Sequence, residues 1–307
     1  MTATGVKNVL EVLWDFLALV IFIISCNVEA IFRYFVKPPL KPLDGEVVLI
    51  TGGANGIGRE IALQLAKTKA KIVCWDLDEN ASRLLEKELK DCDAHFYKVD
   101  VSDRIQVEAT ALKMQQTIGD ITILVNNAGI MPCKSFFKHS PQELENLFKV
   151  NVFGNFWTLR AFVPKMMEMN RGHIVTLCSA AGLIPVRNLA PYCGSKHAIH
   201  GVVEGLKDEF LSMEVPPKIN FTTVYPFSCN TGLLTGLKSH TRFPWLVPKY
   251  LRPQNVAACA IDGLRRNYEH VYIPGFVQFA GTTAKGLLPK VQRASTNFLQ
   301  CYVEPTK

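Results

Sequence analysis

The 307-residue chain is 48% apolar and 20% charged, and its formal net charge is +7. This length and apolar content suffice for one large α/β domain with extensions, and the scattered basic residues suit a protein beside an anionic membrane surface rather than one that binds nucleic acid. The nine cysteines lie far apart and form no C-x-x-C pair, which favours buried thiols in a reducing compartment over a disulfide framework or a metal site.

The first predicted element is a hydrophobic segment over residues 1–36, which we interpret as a membrane anchor. Its uninterrupted apolar core, Phe16–Ile24, is shorter than the roughly 20 residues that cross a bilayer, and a longer span takes in Glu11 and Asp15. Three interpretations remain open: a cleaved signal peptide, a spanning helix, and a hydrophobic hairpin or in-plane helix. We favour the last of these.

A proline-rich linker over residues 37–43 follows the anchor. Arg33, Lys37 and Lys41 give this flank a positive charge, and the positive-inside tendency places it in the cytoplasm. The sequon at Asn220 lies in a predicted strand, where a glycan is not expected. The sequence therefore predicts that the following domain faces the cytosol.

Strand and helix patterns alternate through residues 44–275. Short β-rich runs such as EVVLIT, KIVCWD, ITILVNNAG and GHIVTLCS are separated by helical stretches such as IGREIALQLAKT and ENASRLLEKELKD. This alternation predicts an α/β fold in a single domain, with a doubly wound parallel sheet of the Rossmann type. In such a sheet, ligands bind at the carboxyl ends of the strands.

The first strand-to-helix turn reads TGGANGIG. Glycine in this position allows a tight turn and a close approach of the backbone to a pyrophosphate, while the helix N-terminus offers free N–H groups to the phosphate charge. The sequence therefore predicts a dinucleotide site that includes Thr51, Gly52, Asn55, Gly56, Ile57 and Gly58.

The second strand ends at Asp76, 18 residues after Gly58. A carboxylate in this position can accept hydrogen bonds from both hydroxyls of the adenosine ribose, and it repels a 2′-phosphate. No basic residue lies within the glycine turn or directly after Asp76 to favour that phosphate. We therefore expect NAD as the cofactor in preference to NADP.

Four ordered motifs, TGGANGIG, NNAG, the serine at 179 and YCGSK, resemble the short-chain dehydrogenase/reductase family over residues 44–275. With its hydrophobic leader, the chain is most similar to a membrane-associated subgroup that contains epidermal retinol dehydrogenases and lipid-droplet 17β-hydroxysteroid dehydrogenases. Phe227 departs from the glycine that is usual in the family. The resemblance implies a homodimer and further cofactor contacts at Asp100, Val101, Asn126, Ala128, Gly129, Pro226 and Thr231.

Tyr192 and Lys196 lie at positions i and i+4 and therefore face the same side of one helix. The ammonium of Lys196, together with a positive nicotinamide ring, would lower the pKa of the tyrosine from its usual value of about 10. We expect Tyr192 to exchange the substrate proton, Lys196 to hold the nicotinamide ribose as well, and Ser179 to hold the substrate oxygen. The resemblance adds Asn151 as a water anchor in a proton relay through Lys196.

Two histidines after Lys196 and two later apolar segments lie outside these motifs. His197 and His200 follow the lysine on the same helix and are predicted to be non-catalytic. The apolar segment Leu233–Pro253 is interpreted as a lid over the nicotinamide, with packing between subunits as the alternative. The apolar and basic tail over residues 276–307 is a candidate for a second membrane contact, from its composition alone.

The sequence thus predicts an NAD-dependent dehydrogenase that oxidises a lipophilic alcohol, such as retinol, a hydroxysteroid or a fatty alcohol. We expect it at the endoplasmic reticulum membrane or the lipid-droplet surface, where such substrates dissolve. Two alternatives stay open: an NADPH-dependent carbonyl reductase of the same substrates, and a non-catalytic lipid-droplet scaffold. The presence of Asn151, Ser179, Tyr192 and Lys196 argues against the scaffold.

Overall fold

The computed structural model describes residues 3–243, 248–281 and 302–305, together with positions 290, 291, 294 and 298. It divides into two compact units, Met1–Lys41 and Pro42–Lys307.

The first unit contains one continuous helix, α1, over Ala3–Phe35. Its segment Glu11–Glu29 has a mean hydropathy of 2.0 and is long and apolar enough to cross a membrane. A helix of 33 residues is about 50 Å long. A hairpin requires a turn, which Ala3–Phe35 does not contain, so the helix fits the spanning and in-plane interpretations better than the hairpin.

The second unit contains the β-structure. Its strands within the described residues are β1 (Val47–Thr51), β2 (Lys71–Asp76), β3 (Ala94–Lys98), β4 (Ile123–Asn126), β5 (Gly172–Leu177), β6 (Ile219–Pro226), β7 (Leu237–His240), β8 (His270–Ile273) and β9 (Tyr302–Pro305). Seven of them form one sheet in the order β3-β2-β1-β4-β5-β6-β8 with every pairing parallel. The predicted doubly wound Rossmann sheet is therefore confirmed.

The helices of this unit connect the strands and cover both faces of the sheet. Those with both ends in the described residues are α2 (Gly56–Leu65), α3 (Glu79–Glu88), α4 (Arg104–Thr117), α5 (Pro141–Phe148), α6 (Gly154–Glu168), α7 (Ala190–Leu211), α8 (Pro253–Arg266) and α9 (Phe276–Gly281). Successive side chains of β1 point to opposite faces, so Val48 and Ile50 pack with α2, α3 and α8, whereas Leu49 packs with α4, α6 and α7. Two apolar layers therefore enclose the sheet.

Side-chain caps determine where several of these helices begin. Asp78 accepts a hydrogen bond from the N–H of Ala81 at the start of α3, and Asp103 does the same for Ile105 at the start of α4. The strand order then opens a crevice at the carboxyl ends of β1 and β4, where the direction of winding reverses. This crevice is where the sequence predicts the ligands.

A second, two-stranded sheet lies outside this parallel sheet. β7 and β9 pair antiparallel, with Ser239 opposite Val303. β7 belongs to the predicted lid, of which residues 244–247 lie outside the described residues. β9 belongs to the predicted membrane-binding tail, most of which also lies outside them, so the tail's described end is a strand of the second unit.

Candidate active site

The glycine turn between β1 and α2 has the backbone geometry that its sequence predicts. Gly52 and Gly56 have φ values of 61° and 55°, which side-chain-bearing residues rarely adopt. A Cβ at Gly58 would overlap the carbonyl oxygen of Gly52. The turn therefore brings the N-terminus of α2 against the end of β1 without an intervening side chain, and Asn55, Gly56 and Ile57 at this N-terminus line the crevice.

Hydrogen bonds in both directions connect the end of β4 to this turn. The Thr51 hydroxyl accepts from the backbone N–H groups of Asn127 and Ala128 at 3.0 and 3.1 Å. The Asn127 amide donates in return to the carbonyl oxygens of Thr51 and Gly52, both at 2.9 Å. Thr51 is thus a structural residue of the site, and it holds the NNAG segment beside the glycine turn.

The cofactor contact was expected at Asn126, but Asn127 is the asparagine that lines the crevice. The side chain of Asn126 is buried and accepts a hydrogen bond from the Thr158 hydroxyl at 2.8 Å, whereas Asn127 lines the crevice. Side chains alternate between the two faces of a strand, so Asn126 faces the same α4/α6/α7 layer as Leu124, two residues earlier. This alternation could have identified Asn126 as the buried residue of the pair. The structure thus places Asn127 at the crevice and Asn126 behind it, and a cofactor contact by Asn126 stays a prediction.

Asp76 is held in a defined orientation at the end of β2. One carboxylate oxygen accepts a hydrogen bond from the N–H of Ala54 at 2.9 Å, and the other accepts from the N–H of Asp78 at 3.0 Å. Each oxygen keeps a second acceptor site. The carboxylate is therefore positioned by the backbone and can still accept hydroxyl groups of a ligand.

A nucleotide-sized cleft of about 510 Å³ extends along these elements. Ten of the residues predicted to bind the cofactor line it: Gly52, Asn55, Gly56, Ile57, Asp76, Asp100, Val101, Ala128, Gly129 and Thr231. Of the other predicted contacts, Thr51, Gly58 and Asn126 do not line this cleft. Tyr192, Lys196 and Pro226 line a second cavity, which shares Ile57, Asn127, Gly129, Thr231 and Leu233 with the first.

Tyr192 and Lys196 lie on α7 as predicted, and both are buried. The Lys196 ammonium is 5.7 Å from the centroid of the Tyr192 ring and donates a hydrogen bond to the carbonyl oxygen of Leu177 at 2.9 Å. Ser179, two residues after Leu177, lines the same cavity as Tyr192. The structure therefore brings the three predicted catalytic side chains together at the end of β5.

The surrounding protein groups alone raise the pKa of Tyr192, whereas the sequence predicts that it is lowered. Burial raises this pKa because the phenolate would lose its hydration, and the Ser179 side chain only partly offsets the rise. Burial also lowers the pKa of Lys196. The lowering of the tyrosine pKa that the sequence predicts consequently depends on charge that a bound nicotinamide ring would add.

Asn151 lies in a short π-helical turn, Lys149–Phe153, and is fully buried. Its side-chain oxygen accepts from the N–H of Ile130 at 2.8 Å, and its amide donates to the Ile130 carbonyl at 3.0 Å and to the Ser195 hydroxyl at 3.1 Å. Ser195 in turn donates to the Tyr192 carbonyl oxygen at 2.8 Å. Asn151 thus connects the loop after β4 to the catalytic helix, and π-turns of this kind are frequent at functional sites.

The second cavity begins at Ser179, Tyr192 and Lys196 and is bounded mostly by apolar side chains. These are Met131, Val186, Leu189, Phe227, Leu233, Leu234 and Val303, with the ring of Tyr302 beside them. Leu233 and Leu234 belong to the predicted lid, whereas the two residues of β9 were not predicted to line the cavity. No local pattern places Tyr302 and Val303 at this cavity, because contacts distant in sequence, such as the pairing with β7, bring them there.

The two histidines that follow Lys196 lie away from the reacting groups. A His197 ring nitrogen is 2.9 Å from the carbonyl oxygen of Cys193, and a His200 ring nitrogen is 2.9 Å from the Tyr225 hydroxyl. Neither histidine lines either cavity. Both have structural hydrogen bonds, as a non-catalytic role would require.

Comparison with known proteins gives relatives that match most of the chain. The short chain dehydrogenase family matches residues 46–242. Estradiol 17-beta-dehydrogenase 11 of Homo sapiens is 35% identical over 283 residues, which cover 92% of each chain. Epidermal retinol dehydrogenase 2 of Mus musculus is 36% identical over 264 residues, which cover 85% of this chain and 84% of that protein.

Solved structures show the same fold with nicotinamide cofactors of both kinds. A gluconate 5-dehydrogenase from Burkholderia cenocepacia in complex with NADP and tartrate has a TM-score of 0.68 at 26% identity, covering 77% of this chain and 96% of its own. A 3-ketoacyl-(acyl-carrier-protein) reductase from Brucella melitensis complexed with NADH has a TM-score of 0.68 at 27% identity, covering 75% and 97%. With the glycine turn, the nucleotide cleft and the Ser179–Tyr192–Lys196 cluster in place, the chain belongs to the short-chain dehydrogenase/reductase family and is an NAD(P)-dependent alcohol dehydrogenase.

Proposed function

We propose that the protein oxidises a lipophilic alcohol, such as retinol, a hydroxysteroid or a long-chain alcohol, with NAD⁺ at a membrane or lipid-droplet surface. The observation that carries this proposal is the mainly apolar cavity that begins at Ser179, Tyr192 and Lys196. A mostly apolar lining favours a ligand with little polar surface. The names of the two relatives, an estradiol and a retinol dehydrogenase, agree with this class of substrate.

The side chains at the cavity divide the work of the oxidation between them. The alcohol loses a proton from its oxygen and a hydride from its carbon, and a bound nicotinamide would supply the hydride acceptor. The Ser179 hydroxyl holds the substrate oxygen, and the Tyr192 oxygen accepts the proton. The Lys196 side-chain nitrogen lies 5.7 Å from the centroid of the tyrosine ring, where its positive charge would stabilise the phenolate.

The preference for NAD⁺ over NADP⁺ is proposed from Asp76. The Ala54 and Asp78 N–H groups hold the carboxylate at the cleft in a fixed orientation. A fixed negative charge there accepts ribose hydroxyl groups and repels a 2′-phosphate. The orientation given by the backbone supports this reading of Asp76, because a carboxylate free to turn away would exclude the phosphate less effectively.

The organisation of the full chain completes the proposal. Residues 1–36 act as the membrane anchor, 37–43 as the linker, 44–275 as the catalytic domain and 276–307 as the tail. The length and hydropathy of Glu11–Glu29 support membrane association, and the basic flank supports a domain that faces the cytosol. We further propose that the enzyme is a homodimer on the endoplasmic reticulum or lipid-droplet surface.

The proposal is tested with the full chain reconstituted in liposomes. Retinol, estradiol and 1-dodecanol are each incubated with NAD⁺ and with NADP⁺, and reduced cofactor is measured by fluorescence. We expect turnover with at least one of these alcohols and a higher kcat/KM with NAD⁺. Turnover of water-soluble alcohols only would contradict the substrate class.

The same assay distinguishes the two alternatives. A higher kcat/KM with NADPH and the matching carbonyl compounds would favour the carbonyl reductase. Tight cofactor binding without turnover of any of these alcohols, with Tyr192→Phe retaining the biological role, would favour the scaffold.

A further inference from the structure

The carboxyl-terminal strand β9 forms part of the substrate cavity wall. Tyr302 and Val303 line this cavity together with Leu189 and Tyr192. Val303 is only 4% exposed and packs in the same apolar cluster as Leu189 and Tyr192. A residue near the end of the chain therefore packs in the same apolar cluster as the catalytic tyrosine.

Three neighbouring segments hold β9 in this position. β7 pairs with it antiparallel, with Ser239 opposite Val303. The Asn188 amide, from the loop before α7, donates a hydrogen bond to the Val303 carbonyl oxygen at 2.9 Å. The thiol of Cys133, from the loop after β4, lies 3.9 Å from the same oxygen.

Aromatic and charged groups contact Tyr302 and Glu304 of this strand. The Tyr302 ring stacks on His240 with ring centroids 4.7 Å apart and planes inclined by 14°. The Arg187 guanidinium lies 4.7 Å from the centre of the Tyr302 ring. A Glu304 carboxylate oxygen is 3.4 Å from His240 Nε2. These contacts join side chains of β9 to β7 and to the loop before α7, outside the parallel sheet.

The cavity is small compared with the proposed substrates, and its walls differ in how firmly they are held. Its volume is about 110 Å³, whereas pockets for small organic ligands usually measure about 300–1,000 Å³. A steroid or a retinoid is larger than this space, so its fit depends on how far the surrounding wall can move. The β5 and α7 walls belong to the main core, whereas the β7–β9 ribbon lies outside the parallel sheet, and a two-stranded ribbon contributes little stability of its own.

We propose that β9 is a strap that limits substrate size, with Tyr302 and Val303 as the residues that determine specificity. A slender alcohol binds with β9 in its observed position. A ring-bearing alcohol binds only when β9 moves away from the cavity. This inference rests on the proposed function, because it assumes a lipophilic alcohol in the cavity. It adds the residues that select among members of that class.

The test compares kcat/KM for estradiol with kcat/KM for 1-dodecanol, using the full chain in liposomes with NAD⁺. Val303→Ala removes two methyl groups from the wall and is expected to raise the estradiol-to-dodecanol ratio at least fivefold. Asn188→Gly removes the amide that holds the strap, and glycine tolerates the left-handed φ of 65° at this position. We expect it to raise the same ratio while leaving the affinity for NAD⁺ within twofold.

Lys238→Ala is the matched control, because Lys238 lies on β7 in the same ribbon and is exposed away from the cavity. Its ratio should stay within twofold of the wild-type value. A chain that ends at residue 301 removes the strap entirely and should show the largest change. If Val303→Ala fails to fold, Asn188→Gly and the shortened chain decide the question, and unchanged ratios in those two would overturn the inference.

Equilibrium binding of both alcohols in the presence of NADH separates this inference from the proposed function. A wild-type protein that oxidises neither alcohol would contradict the proposed function alone. The ratio of the two binding constants is then measured across the same variants. A ratio that does not change from the wild type to Asn188→Gly and the shortened chain contradicts the strap, whatever the turnover is.

Discussion

The Lys196 ammonium donates a hydrogen bond to the Leu177 carbonyl oxygen at 2.9 Å. This contact joins the catalytic helix α7 to the end of β5, two residues before Ser179. Lys196 therefore has a geometric role as well as an electrostatic one, because it fixes the distance between the strand end that carries the serine and the helix that carries the tyrosine. Both side chains are needed at one substrate oxygen.

Replacing Tyr192 by Phe should abolish most of the activity without preventing cofactor binding. The substitution removes only the hydroxyl that exchanges the proton, so we expect kcat to fall by about 10²–10⁴-fold and the dissociation constant for NADH to stay nearly unchanged. Tyr225→Phe is the matched control, because the Tyr225 hydroxyl bonds to His200 at 2.9 Å and lines neither cavity. An equal loss of kcat in both variants would contradict the assigned role.

The oxidation rate should increase with pH. Tyr192 must be deprotonated to accept the substrate proton, and burial raises its pKa, so the reactive form is scarce at low pH. We expect kcat/KM for alcohol oxidation to rise about tenfold per pH unit until the pKa of the enzyme–NAD⁺ complex is reached. Carbonyl reduction, which needs the protonated phenol, should change in the opposite direction.

Lys196→Met provides the comparison for this profile. Loss of the ammonium removes charge that stabilises the phenolate, so the rising limb should move to higher pH. The measurement is a pH series of kcat/KM for both enzymes with the same alcohol. A wild-type profile that is flat from pH 6 to 9 would count against Tyr192 as the base, and an unshifted limb in Lys196→Met would count against the electrostatic role of the lysine.

Substituting Asp76 should change cofactor selection. Asp76→Asn removes the negative charge while keeping most of the side chain's shape, and charge-assisted hydrogen bonds contribute about 1.5–3 kcal/mol. We expect the ratio of kcat/KM for NAD⁺ to that for NADP⁺ to fall at least tenfold. The control is Asp78→Asn, since asparagine also caps the start of α3 and Asp78 does not line the cleft. An unchanged ratio in Asp76→Asn would contradict the proposed preference for NAD⁺.

The sequence predicted the parts of the site that local patterns encode. Gly52, Gly56 and Asp76 could be placed because strand period, turn chemistry and spacing all act within about 30 residues. The wall formed by Val303 could not, because its position depends on pairing with a segment more than sixty residues earlier. The pKa of Tyr192 was expected to fall because spacing on a helix shows the nearby charge of Lys196 but not the depth of burial.

The glycine turn allows a stability prediction with an internal control. In Gly58→Ala the new methyl group would collide with the Gly52 carbonyl oxygen and the Asn127 amide, both of which are fixed by the hydrogen bonds around Thr51. We expect a loss of about 1–3 kcal/mol in the free energy of unfolding, together with weaker NADH binding. Gly201→Ala, in the exposed part of α7, has open space around the new methyl group and should instead stabilise the fold by about 0.5–1 kcal/mol. Urea unfolding of the full chain in detergent micelles measures both, and a neutral Gly58→Ala would show that β1 and α2 can separate without disturbing the cleft.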